Sequence, residues 1–77
     1  MQTPRDNAPI PSGPVETMPH GCLGTAEQRA ALLAELERAG VELGTYDRGI
    51  VDWLATFDYS VVATLASLIR RAAHHPH

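Results

Sequence analysis

The 77-residue sequence has no lysine, few aromatic residues and a single cysteine, Cys22. One cysteine excludes an internal disulfide, which is a usual support of so small a fold. All six basic residues are arginine, and they are outnumbered by acidic residues to give a net charge of −3. Because binding to nucleic acid and to anionic membranes depends on clustered positive charge, this balance argues against generic affinity for either.

Long apolar runs are also absent. No stretch approaches the roughly 20 apolar residues that span a bilayer, and the N-terminus lacks the apolar core of a signal peptide. We therefore expect a cytoplasmic protein that binds no membrane. A chain of this length buries a small share of its surface, so we expect it to gain stability by self-association.

The composition changes at about Gly24. Five of the six prolines lie before this residue, together with few large apolar side chains. Such a segment cannot bury enough surface to offset the entropy lost on ordering. We predict a disordered Pro-rich N-terminal tail over residues 1–24 and an all-α three-helix domain over residues 25–77. A polyproline II docking peptide around Ile10 is the alternative for the tail.

The first predicted helix covers residues 26–39. Thr25 and Gln28 have the spacing of a capping box, and Gly40 is suited to end the helix in the left-handed conformation. Three apolar residues recur at three- and four-residue steps and predict the buried face, and they are Ala30, Leu33 and Leu36, with Leu32 nearby. The charged and amide side chains are assigned to the surface, and they are Gln28, Arg29, Glu35, Glu37 and Arg38.

The second predicted helix covers residues 46–57, with Thr45 as its cap. Apolar residues recur at helical spacing, and they are Tyr46, Ile50, Trp53, Leu54 and Phe57. This stripe contains the only Trp and the only Phe, so it is predicted to be the centre of the core, with an exposed edge of Trp53 and Phe57 as the alternative. Gly49 indicates either the close approach of another helix or a later helix start with Asp47 as the cap.

The third predicted helix covers residues 59–73, with Asp58 as its cap. Its sequence runs from Tyr59 to Ile69 without a charge. One face is broadly apolar and comprises Val61, Val62, Leu65, Leu68, Ile69 and Ala72. The opposite stripe comprises Ser60, Thr64, Ser67 and Arg71. Two short partner helices are not expected to cover so much apolar surface, so we predict a homodimer formed through this helix.

The tight turn between the second and third helices allows a helix-turn-helix interpretation. A DNA-binding transcriptional regulator would use Tyr59, Ser60, Arg70 and Arg71 for nucleic-acid contacts. The charges disagree with this alternative, because Asp58 lies at the start of the third helix and no arginine follows until position 70.

Candidate chemistry is sparse. His20, Cys22, His74, His75 and His77 are potential zinc or nickel ligands, but their spacing does not match a folded site. No paired acid and base groups are predicted on one surface. We therefore expect no catalytic residues, no metal and no cofactor, and predict that the protein is not an enzyme.

The last two-thirds of the chain carry a resemblance. The sequence AGVELGTYDR at residues 39–48 is followed by IVDWLA at 50–55 and VVATLASLIRRA at 61–72. This stretch resembles small uncharacterised proteins of high-GC actinobacteria and their mobile elements. The class has no known activity or site residues, so the resemblance implies only a cytoplasmic, accessory character.

Together these features predict a non-enzymatic protein-protein interaction module, or a small accessory regulator, that binds a partner protein of unknown identity. The predicted partner-binding residues are Trp53, Phe57, Val62, Leu65, Leu68 and Ile69.

Overall fold

Three α-helices make up the domain. The computed structural model describes residues 10–74, and within them no strand is present. The helices are α1 (Thr25–Arg38), α2 (Thr45–Leu54) and α3 (Tyr59–His74). The prediction of an all-α three-helix fold is confirmed. None of the described helices is both long enough and apolar enough to cross a membrane.

The N-termini of α1 and α2 are capped in the same way. Gly24 and Gly44 are the N-caps, and their backbone N–H groups donate to the carboxylates of Glu27 at 2.8 Å and Asp47 at 2.9 Å. The predicted caps, Thr25 and Thr45, are the first helical residues instead. A carboxylate at the third helical position satisfies a backbone donor and complements the positive end of the helix.

The end of α1 follows the prediction. Gly40 has φ +78°, which is the left-handed conformation. The N–H of Val41 donates to the Leu36 carbonyl, and the N–H of Gly40 donates to the Glu37 carbonyl. These two bonds define a Schellman motif, which satisfies carbonyl groups that the helix leaves unpaired.

The most buried line of α1 is mainly polar. Gln28, Leu32 and Glu35 are all buried, so the prediction that Gln28 and Glu35 lie on the surface is wrong. Both polar side chains have partners inside the fold. Gln28 Nε2 donates to the Ala55 carbonyl at 2.8 Å and to the Phe57 carbonyl at 2.9 Å. A hydrogen-bonded polar group can be buried without the large cost of an unsatisfied one.

The core lies where α1 meets α2 and α3. Its central residues are Leu32, Val51, Val62 and Ala66. Half-buried apolar residues pack around them, and these are Ile10, Leu33, Leu36, Leu54, Leu65 and Ile69.

The side of α2 that faces the core differs from the predicted one. Val51 and Ala55 are buried, whereas Tyr46, Trp53 and Phe57 are exposed. The prediction that the aromatic stripe is the centre of the core is therefore wrong. Trp53 lies two residues after Val51, which is about 200° around the helix axis. The smaller side chains, together with Gln28 bound to the Ala55 carbonyl, place α2 close to α1.

The buried face of α3 is also rotated from the predicted one. It comprises Tyr59, Val62, Ala63, Ala66 and Ser67. Ser67, which was assigned to the outer stripe, is fully buried, and its hydroxyl accepts a hydrogen bond from Arg71 Nε. Conversely, Val61 and Leu68 of the predicted apolar face are exposed. The small side chains at positions 63, 66 and 67 leave room for α1 to pack closely against α3, where larger side chains would not fit.

The N-terminal segment from residue 10 to residue 23 has no regular secondary structure and lies against the helices. Ile10 packs on the core, and its carbonyl accepts a hydrogen bond from Arg70 Nη1 at 2.8 Å. Gly21 lies against the ring of Tyr59. Residues 1–9 of the predicted tail fall outside the described residues. Disorder of residues 1–24 in solution stays a prediction.

The contact at Gly21 provides a test of that prediction. A Cβ at position 21 would lie 2.7 Å from Tyr59 Cε2, whereas at position 13 no described atom lies within 4 Å. If the segment is docked, Gly21→Ala should lower the free energy of unfolding by about 1 kcal/mol through overpacking, and Gly13→Ala should not. Urea unfolding of both variants measures this. Equal stability of the two variants would support the disordered tail.

Replacing either of two other glycines by alanine should change the free energy of unfolding, in opposite directions at the two positions. Gly49 is exposed inside α2, and a Cβ there meets no neighbour within 4 Å in the part of the chain described. Gly49→Ala should therefore raise the free energy of unfolding by about 0.5–1 kcal/mol, through helix propensity. Gly40→Ala should lower it by about 1 kcal/mol, because alanine is strained at positive φ. Thermal unfolding followed by circular dichroism checks both signs.

Candidate functional site

Four large apolar side chains form an exposed row along α2 and the turn after it. We call this row the α2 stripe, and it comprises Tyr46, Ile50, Trp53 and Phe57. Tyr46 is 82% exposed, Trp53 is 57% exposed, and the other two are each 37% exposed. Isolated apolar residues are common on protein surfaces, but several large ones close together are typical of an interface.

The aromatic end of the α2 stripe has a defined geometry. The ring centroids of Trp53 and Phe57 are 4.9 Å apart with an interplanar angle of 86°, which is an edge-to-face arrangement. Phe57 follows the end of α2, and its carbonyl accepts from the buried Gln28. Thr56 Oγ1 donates to the Trp53 carbonyl at 2.7 Å. Hydrogen bonds therefore hold the turn that carries the exposed pair.

An exposed ion pair includes Asp52, the residue before Trp53 in the sequence. Asp52 lies 3.8 Å from Arg29 of α1, and both side chains are about half exposed. Such an exposed ion pair adds little to folding stability.

A second apolar surface lies on α3. Val61 and Leu68 are exposed, and Leu65 between them is half-buried. The N-terminal segment at residues 15–19 faces Val61 and Leu65 across an open cavity of about 480 Å³. This segment therefore borders one end of the α3 surface and leaves Leu68 outside the cavity lining.

The structure divides the six predicted partner-binding residues into two groups. Trp53, Phe57 and Leu68 are on the surface. Val62 is in the core, and Leu65 and Ile69 pack against it from half-buried positions. Sequence reasoning also missed Tyr46 and Ile50 as surface residues. Their helical spacing was visible, but that spacing does not indicate which face of α2 meets α1.

The four residues proposed for nucleic-acid contact are not on one open surface. Tyr59 is buried, and this burial raises the pKa of its phenol. Ser60 is half-buried, and its carbonyl accepts from Thr64 Oγ1. Arg70 and Arg71 lie at the other end of α3.

Arg70 is held by a buried carboxylate. Glu35, only 3% exposed, accepts hydrogen bonds through Oε2 from Arg70 Nη2 at 2.6 Å and Nε at 3.1 Å. Arg38 Nη1 lies 3.0 Å from the same oxygen. The hydrogen bonds from Arg70, with help from Arg38, hold the pKa of Glu35 below its ordinary value of 4.5, although burial acts in the opposite direction.

Potential metal ligands are not assembled within residues 10–74, where no cluster of three or more His, Cys, Asp or Glu side chains is placed to hold an ion. Cys22 is an exposed free thiol. His75 and His77 fall outside the described residues.

No protein-family model matches the chain, and no curated protein or solved structure shows significant similarity to it. The resemblance to small actinobacterial proteins stays a prediction.

The buried ion pair predicts a pH dependence. Because the pKa of Glu35 is lowered in the folded state, its carboxylate stabilises the fold above pH 4.5, and this contribution is lost as the pH falls further through the folded-state pKa. Glu35→Gln should lower the free energy of unfolding at pH 7 by about 1–3 kcal/mol. The difference from wild type should shrink in acid. Urea unfolding across pH 3–7 measures it.

The control for this prediction is Glu37→Gln, on the exposed side of the same helix. It should leave stability nearly unchanged. A loss at Glu35→Gln that does not vary with pH would show that the carboxylate charge is not the cause.

Proposed function

We propose that this protein is a non-enzymatic protein-protein interaction module of the cytoplasm, and that the α2 stripe is its binding surface. The observation that carries the proposal is the position of Trp53. The only tryptophan of the chain is more than half exposed and is held edge-on against Phe57. Tryptophan and tyrosine are the residues most enriched among those that dominate binding energy at interfaces.

The energetics of the α2 stripe support binding rather than folding. Its side chains contribute less to the core than Val51 and Ala55, which are smaller. Covering an exposed aromatic side chain by a partner removes apolar surface from water, at about 25 cal/mol for each Å². The hydrogen bonds that fix the turn reduce the ordering entropy that binding would otherwise cost.

The partner we propose first is a second copy of the chain. We place the interface at the α2 stripe instead of the α3 face predicted from the sequence, because Val62 of that face lies in the core and Leu65 and Ile69 pack against it. A two-fold dimer brings the same surface patch together on both subunits, so the patch must be self-complementary. Asp52, the residue before Trp53 in the sequence, and Arg29 on α1 form an exposed pair of opposite charges. Charges of both signs allow two copies to pair across such an axis without like-charge repulsion.

The alternative is DNA binding through α2 and α3. The short turn between these helices supports it, because only residues 55–58 separate them. The charges favour the interaction module instead. Arg70 is paired with Glu35 and bound to the Ile10 carbonyl, and Asp58 lies at the start of α3. Phosphate contacts dominate the affinity of DNA-binding proteins, and they require accessible positive charge.

Self-association through the α2 stripe is testable by sedimentation and by fluorescence. We expect a dimer at micromolar concentration, with the emission of Trp53 shifted to the blue as the protein is concentrated. Tyr46→Glu should weaken the dimer at least about tenfold and leave the free energy of unfolding of the monomer nearly unchanged, because Tyr46 is 82% exposed.

Leu68→Glu is the matched variant, since it places the same charge on the exposed apolar surface of α3. It should leave dimerisation unchanged. If only Leu68→Glu separates the dimer into monomers, the interface lies on α3. A folded monomer with unshifted Trp53 emission at all concentrations would contradict self-association.

A further inference from the structure

An open cavity lies where the C-terminal ends of α1 and α3 meet the N-terminal segment. Its volume is about 890 Å³. Basic side chains line one side, and these are Arg38, Arg70, Arg71 and His74. Residues 12–14 line the other side. We propose that this cavity is a binding site for a small multivalent oxyanion of the diphosphate class, a function separate from the α2 stripe.

The first argument is charge. Half of the arginines of an acidic chain line this one cavity. A single carboxylate, that of Glu35, pairs with two of them. The negative ends of two helix dipoles offset up to about one further unit of charge. The cavity therefore keeps a net positive charge on a molecule whose overall charge is −3.

The second argument is that the guanidinium groups are positioned in advance. Arg38 and Arg70 meet on the same oxygen of Glu35, and Arg70 is further fixed by the Ile10 carbonyl. Arg71 is oriented by the hydrogen bond from its Nε to the buried Ser67 hydroxyl. Each guanidinium carries five N–H donors, so the hydrogen bonds described here leave donors on every one of the three for a ligand.

The class of ligand follows from these donors. Planar guanidinium groups bind oxyanions in a bidentate manner, and several converging groups favour a ligand with several oxygens and more than one negative charge. A diphosphate has both properties, and the cavity volume leaves room for a substituent attached to it. The same chemistry is supplied by free diphosphate and by the diphosphate of a nucleotide.

Titration of the full chain with sodium diphosphate, followed by amide chemical shifts, tests the proposal. We expect saturable shifts at Ser12 and Gly13 and at the C-terminal ends of α1 and α3. Arg71→Gln and Arg38→Gln should each weaken binding about tenfold or more, the effect of losing one charge-assisted hydrogen bond. Parallel titrations with ADP and with citrate distinguish a nucleotide source and a carboxylate ligand from free diphosphate. Tighter binding of citrate than of both phosphate ligands would overturn the diphosphate class.

Two matched controls lie outside the cavity lining. Arg29→Gln removes an exposed arginine paired with Asp52, and Arg48→Gln removes an exposed arginine at the start of α2. Both should change the affinity less than twofold. Equal weakening by all four variants would overturn the proposal, because it would show delocalised attraction rather than a site. Each variant is compared with wild type in thermal unfolding, so that loss of fold is separated from loss of binding.

The last experiment is a competition between diphosphate and duplex DNA. Displacement of diphosphate from the cavity by DNA at physiological salt would overturn the small-anion proposal and favour the nucleic-acid alternative. The absence of saturable diphosphate binding by the folded wild-type chain would also overturn it.

Discussion

The fold depends on two buried polar side chains of α1. Gln28 binds the backbone where α2 ends, and Glu35 binds Arg70 near the end of α3. Leu32 lies between these two residues on the same side of α1, and it packs in the apolar core. Because buried polar groups are costly unless their partners are in place, these two residues allow few relative positions of the three helices. A purely apolar contact among short helices would specify their rotation less well, since hydrophobic burial has no preferred direction.

That orientation determines which apolar residues remain outside. When Gln28 holds the Ala55 carbonyl, α2 turns Val51 and Ala55 inward, and Trp53 is placed on the opposite side. The same packing brings the small residues of α3 against α1 and leaves Leu68 exposed. The surface proposed for protein binding is thus a consequence of the hydrogen bonds that the buried polar side chains of α1 make. A partner would bind residues that the core did not use, without rearrangement of the three helices.

Arg70 links the other features of the molecule. It pairs with Glu35, binds the carbonyl of Ile10 and lines the basic cavity. The N-terminal segment, the packing of α3 on α1 and the proposed anion site therefore share one side chain. Arg70 therefore connects the proposed anion site with the packing of the three helices and the N-terminal segment.

The sequence by itself determined the number of helices, their approximate bounds and the end of α1 at Gly40, because caps and helical periodicity are local properties. It also indicated Trp53 and Phe57 as candidate partner residues, but only as the alternative to a core position. Only the tertiary structure decided which face of each helix is buried. Periodicity reports that apolar residues share a face, whereas the buried face depends on contacts between distant residues such as Gln28 with Ala55 and Glu35 with Arg70. Those contacts place Gln28 and Glu35 inside and leave Trp53 and Phe57 outside, and no pattern within a single helix carries that information.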